Sequence, residues 1–359
     1  MTTIVAQQSE TIPADLVVDF NRDIRPILSD HCFNCHGPDT NTLQAGLRLD
    51  QEVSVYVAAE SGKTPVIRGD IDASELVNRI VSDDPNELMP PPDFDKPLSE
   101  SQIGLLRRWV QQGAKWSGHW AFEAVQTPAV PTENLAIGVV HNAIDAFVLA
   151  KLKSEGLSQS PPEARERLIR RVSLDLTGLP PSISEVEDFI ADTSPNAFET
   201  VVDRLLASQH FGERLAIPWL DLARYGDTSG YHNDSLRDMW LWRQWVIESF
   251  NANTPFDQFT IEQLAGDMLP GATVQQKIAS GFHRNLMTSD EGGLIDSEYR
   301  NLYVVDRVAT TGVTWLGMTV ACAQCHDHKY DPISTEDFYK LYAFFNNVPE
   351  NGKDGVRDR

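Results

Sequence analysis

The chain has 359 residues, 41% of them hydrophobic, and a formal net charge of −22. The hydrophobic share is ordinary for globular protein, and the length suits about two to three domains. So acidic a chain lacks the basic footprint of nucleic-acid binders, and no apolar run reaches the ~18 residues a membrane-spanning helix needs.

The opening stretch Met1 to Leu16 has no basic start, and polar residues interrupt any apolar core, so it does not read as an export signal. Residues 17–116 form a first unit. A helix is expected over Asn21–His31, with Ile24, Ile27 and Leu28 on one face and Pro26 in an early turn. It leads into Cys32-Phe33-Asn34-Cys35-His36. A strand or turn pair follows near Leu47–Leu49, then a helix over Ala73–Val81. Met89 comes next, stiffened by Pro90, Pro91 and Pro92. A closing helix is capped by Ser99, with Gln102 at its third position and Ile103, Leu106 and Val110 on one face. Residues 117–140, interrupted by Pro128 and Pro131, read as a linker.

Residues 141–359 read as a second, larger helical unit. Ala143–Glu155 is amphipathic, with Ile144, Phe147, Val148 and Leu152 sharing a face. Pro162 opens the next helix, which ends near Gly178-Leu179-Pro180-Pro181. Ser184 is expected to cap another, and Asn196 to begin one running to Ser208. Further helices are expected over Asp238–Phe250, Pro255–Leu269, Val274–Ile278, Ser297–Met318 and Thr335–Phe345. The apolar tract Val308–Ala321 reads as a buried helix leading into Cys322-Ala323-Gln324-Cys325-His326. The fold class expected is mainly α: a class I cytochrome c-like domain, then a larger helical haem-binding domain.

All four cysteines lie in these two CxxCH pentapeptides. CxxCH is the attachment signature of c-type haem. Its two thiols add across the two vinyl groups, and the histidine presents an imidazole to one face of the iron. Three other uses of such cysteines fit less well. A thioredoxin-like pair needs a βαβ context, which neither site shows. A structural zinc site usually separates its pairs by about 15–20 residues, whereas 286 residues lie between Cys35 and Cys322. Local disulfides leave both histidines unexplained. Two covalently bound haem c groups are therefore expected, on Cys32 and Cys35 and on Cys322 and Cys325, with His36 and His326 as proximal ligands.

Met89 is the expected distal ligand of the first haem, because methionine raises the reduction potential and suits electron transfer. His31 adjoins Cys32 and is poorly placed for that role. At the second haem, His328 and Met318 are too near the motif to reach the opposite face. His232 and His283 lead the remaining candidates, ahead of His210, Met239, Met268 and Met287. An open sixth position is the other alternative, and it would favour gas or peroxide chemistry. The charges of Asp327–Asp331 suit either propionates and a partner or a solvated loop. Asp290-Glu291-Gly292-Gly293 reads as a tight turn, since it lacks a full calcium-loop pattern.

Residues 18–116 resemble the planctomycete cytochrome C domain, through Cys32–Asp39, Ala45–Asp50 and Asp83–Pro91. Residues 143–350 resemble the cytochrome-like domain of unknown function that usually follows it. That likeness rests on Gly178–Pro181, Trp219–Asp227, Pro255–Gly266 and Gly317–Ile333. The resemblance implies haem on both CxxCH motifs, with Met89 as the matching methionine. Members of that family commonly continue into a large third domain, also of unknown function. The function expected is electron transfer by a dihaem c-type cytochrome in the periplasm or elsewhere outside the cytoplasm, to a redox partner protein or that further domain. The alternative is a dihaem oxidoreductase or peroxidase-like enzyme whose second iron is open.

Overall fold

The computed structural model describes residues 16–132, 140–232, 234–289 and 291–347. The protein is mainly helical. Among the described residues, extended pairing is limited to two isolated bridges, Ile67 with Asp70 and Thr228 with Leu236. Packing divides the chain into two compact units. One joins Met1–Val125 to Thr319–Ala343, and the other joins Gln126–Met318 to Phe344–Arg359. The segment carrying the second CxxCH thus packs with the unit that carries the first.

In the first unit, a π-helical turn at Phe20–Ile24 runs into α1 (Arg25–His31), with a proline in its first turn. Asp19 caps the turn by accepting from Arg22 N. This is the expected Asn21–His31 helix with a wider first turn. The short α2 (Phe33–His36), α3 (Glu52–Tyr56) and α4 (Glu75–Ile80) follow. Helix α5 (Glu100–Gln111) starts with a full capping box between Ser99 and Gln102, as the sequence predicts. These elements bury Phe20, Ile24, Leu28, Val55, Val66, Leu106, Trp109 and Val110 in one core. The Trp109 indole N–H donates to Lys115 O at 2.9 Å, so the buried ring keeps its polar edge satisfied.

The second unit contains α6 (Ala143–Ser154), α7 (Arg165–Thr177), α8 (Ile183–Ala191), α9 (Ala197–Leu206), α10 (Gln209–Ala223), α11 (Trp240–Asn251), α12 (Phe256–Ala265), α13 (Val274–Ala279) and α14 (Asp296–Thr311). Helices α7 to α9 bury Ile169, Phe189, Val201 and Leu205 together. An aromatic core gathers Trp242, Trp245, Phe259 and Phe282, with Trp219 and Trp315 packed against it. Trp245 stacks on Phe259 at 5.4 Å. The Trp242 indole donates to Ala279 O at 3.2 Å. Helix α15 (Thr335–Asn346) has its first residues in the first unit and its last in the second.

Three local expectations are corrected. The residue capping α8 is Ser182 rather than Ser184, because Ser182 stands three residues before Glu185 and completes a capping box with it. On α6 the supposed core face, Ile144, Phe147 and Val148, is exposed, and Ala146 is the buried residue. The tract Val308–Ala321 is not one buried helix. Helix α14 ends at Thr311, a π-helical turn spans Gly312–Leu316, and Gly317 takes a left-handed conformation with φ of 63°. That conformation costs little at a residue without Cβ, so the helix stops there. The second motif then begins in a separate 3-10 turn, Val320–Gln324.

Candidate haem sites

The first site is an open cavity of about 210 Å³. Cys32, Cys35, His36 and Met89 all line it, with Leu47, Leu49, Leu76, Ile80 and Phe94 among its apolar walls. The motif reaches that cavity because α1 ends at His31 and α2 turns immediately. Cys35 N and His36 N both bond to Cys32 O, at 3.1 and 2.8 Å. A Cβ on Gly37 would collide with the backbone oxygen of Phe33, so a larger residue there would force the turn after His36 open. The following loop braces the motif from outside: Gln44 N bonds to Cys35 O and Leu49 N to His36 O, each at 2.8 Å. Residues 47–49 thus act as a bracing turn, with no strand among them. On the far side, Met89 N is tied to Arg79 O at 3.0 Å, which fixes the loop to the end of α4.

The electrostatics suit a covalently held, apolar group. Burial, with Cys35 beside it, pushes the Cys32 thiol up to about 12. Burial also lowers the His36 pKa, which keeps the imidazole neutral, as a metal-bound histidine must be. His36 Nδ1 is buried without a hydrogen-bond partner. A neutral ring with spare bonding capacity, two thiols and a thioether around one apolar cavity fit a c-type haem.

The second motif has a different setting. Cys322 and Cys325 are exposed, and so is His326. His326 Nδ1 lies 2.8 Å from Asp327 O. Only a protonated Nδ1 bonds to a carbonyl, so Nε2 carries the free lone pair, the usual tautomer of a metal-ligating histidine. These residues also fit a haem attached at the surface. Beyond the motif the charged loop is held by bonds within its own unit. Asp327 Oδ1 accepts from Thr335 N at 2.8 Å, at the start of α15. Tyr330 N and Asp331 N both donate to His328 Nδ1, at 3.3 and 2.9 Å. The Asp331 carboxylate accepts from His119 Nε2 at 3.1 Å.

The two distal candidates for the second site belong to the other unit. His232 is exposed, and its backbone N–H donates to Glu291 Oε1 at 2.8 Å. Asp290, of the expected Asp290–Gly293 turn, lies outside the described residues. His283 packs against Phe282, Trp315 and Phe345, with ring separations of 5.0, 6.5 and 4.8 Å. Its Nε2 is 3.3 Å from Thr311 Oγ1. That hydroxyl donates its only proton to Arg307 O at 2.8 Å, so it accepts from His283 Nε2–H. Burial and the nearby Arg307 and Arg224 guanidinium groups lower the His283 pKa to about 3.

Sequence reasoning missed His119, 212 positions from its partner Asp331. No local pattern marks it.

A family model described as PSCyt2, Protein of unknown function (DUF1549), matches residues 143–350, more than half of the chain. The chain belongs to the PSCyt2 family. A second model, PSCyt1, Planctomycete cytochrome C, matches residues 32–93. The PSCyt1 match spans Cys32, Cys35, His36 and Met89 and implies covalently bound haem c. The PSCyt2 match includes the second CxxCH. No curated protein and no solved structure matches the chain. No helix among the described residues is long and apolar enough to cross a membrane.

Proposed function

We propose that this protein is a dihaem c-type cytochrome that transfers electrons outside the cytoplasm. The observation that carries the reading is the cavity lined at once by Cys32, Cys35, His36 and Met89. A haem there supplies a one-electron couple, and methionine–histidine ligation raises its potential. His36 with its ring nitrogen and Met89 with its thioether are the residues that would hold the iron, and the apolar walls would limit water. The second haem is assigned to Cys322 and Cys325, with His326 as its proximal ligand. In sequence the two haems belong to domains 17–116 and 141–359, joined by the linker 117–140. In space the two motifs share one compact unit, which favours direct exchange between them. The charge of −22 favours a basic redox partner, or a further domain of the same polarity need.

The deciding measurement is a pyridine haemochrome assay on protein matured where c-type haem is attached. Two haems per chain are expected. Cys322→Ser with Cys325→Ser should leave one, and Cys32→Ser with Cys35→Ser should also leave one. A parent protein with a single haem overturns the dihaem reading.

A further inference from the structure

We infer that the second haem is seated against Trp120 and Phe122, aromatic residues at the end of the first domain's chain. The inference rests on the two-haem reading above. A c-type haem is a broad apolar plate, and the exposed Cys322–His326 turn provides little wall for it. The first unit presents two large exposed aromatic side chains. Trp120 is 68% exposed and Phe122 67%. They form a 3-10 turn, Trp120–Phe122, whose N-cap is His119.

His119 joins this turn to the second motif. Its Nδ1 accepts from Ala121 N at 3.3 Å, so its Nε2–H is the donor to Asp331 Oδ1 at 3.1 Å. Asp331 N in turn donates to His328 Nδ1, two residues from His326. The His119 ring lies 5.9 Å from that of Trp120 and 5.7 Å from that of Phe122. The His119 side chain is only 7% exposed, so its bond to Asp331 is largely shielded from water and ties the aromatic turn to the loop that follows the motif. Charges from the same loop reach further into the unit: Lys329 acts on Asp30 and Asp327 on Arg48. An exposed aromatic pair of this kind, tied through His119 and Asp331 to the loop that follows the CxxCH, has the chemistry of a haem wall. His119 and Asp331 then act as positioning residues for the wall.

The test labels the protein with 5-fluorotryptophan and records fluorine NMR of the oxidised form, with Trp120→Phe identifying the Trp120 line. The line should be displaced and broadened by the nearby iron. It should return to the ordinary range in Cys322→Ser/Cys325→Ser and stay displaced in Cys32→Ser/Cys35→Ser. A line that does not move on loss of the second haem overturns the inference. In the intact protein, Trp120→Ala with Phe122→Ala alters only exposed side chains. It should shift the Soret absorption of one haem and leave the other in place, and two unchanged components would also refute the seat. Failure of the two-haem reading itself is distinguishable, because Cys322→Ser/Cys325→Ser would then hold as much haem as the parent.

Discussion

His283 should make the second unit acid-sensitive, by an amount the structure sets. In an unfolded chain an imidazole titrates near 6.5, whereas in the fold it does so at about 3. The folded state therefore resists a proton that the unfolded state accepts. Its stabilising share is fully present above about pH 6.5 and is lost as pH falls toward 3. Each pH unit in that window costs about 1.4 kcal/mol for one such group, so going from pH 7 to pH 5 removes about 2 kcal/mol. His283 keeps some accessible surface, which makes that an upper figure. The cause is local: the ring is buried, the Arg307 and Arg224 charges disfavour its protonation, and Thr311 accepts from Nε2–H and has no proton left to give. His283→Gln keeps a donor for Thr311 but does not titrate. Urea unfolding followed by tryptophan fluorescence, run from pH 7 to pH 5, compares the two proteins. Other histidines contribute equally to both, so the difference isolates His283. The variant should lose stability less steeply, the two curves converging by as much as about 2 kcal/mol at pH 5. Parallel curves would refute the argument.

Other perturbations follow from particular contacts. Met89→Ala should abolish the methionine–iron absorption band at the red end of the oxidised spectrum and lower the potential of the first haem, with the haem count unchanged. An unchanged spectrum removes Met89 as ligand. Gly212→Ala should destabilise the crossing of α10 and α11 by about 1–3 kcal/mol. The added Cβ would strike Ile247 O and come within 2.6 Å of Asn251 Cγ, and Asn251 is held by its own bonds to Gly212 N and Gln209 O. Thermal unfolding of the variant reads that cost directly. Ser182→Ala removes the cap of α8 and should cost about 1 kcal/mol in the same assay. Trp242→Ala, which empties the centre of the aromatic core, should cost about 3–5 kcal/mol.

Some of this was readable from the chain because it depends on neighbours in sequence. The second thiol and the imidazole must stand three and four positions after the first cysteine to serve one haem, so CxxCH is legible from the chain alone. The Ser99–Gln102 box, the helix leading into the first motif and the mainly helical class also arise within a few residues. The first cavity was nearly as legible, since the cytochrome order of helix, motif, methionine loop and closing helix fits in about a hundred residues. Amphipathic pattern was a weaker guide. It marked Ile144, Phe147 and Val148 as a core face, but periodicity says only that a stripe is apolar, not that another element covers it.

The setting of the second motif was decided by tertiary structure. Gly317 ends the approach from α14, and Thr319–Ala343 packs with the first unit. His119 and Asp331 meet across 212 positions through one hydrogen bond, and no periodicity encodes such a meeting. The sequence by itself marked which atoms are suited to hold haem, because that chemistry is covalent and local. Which surfaces surround the second motif depended on contacts between distant parts of the chain, because burial is a property of the packed molecule rather than of any segment.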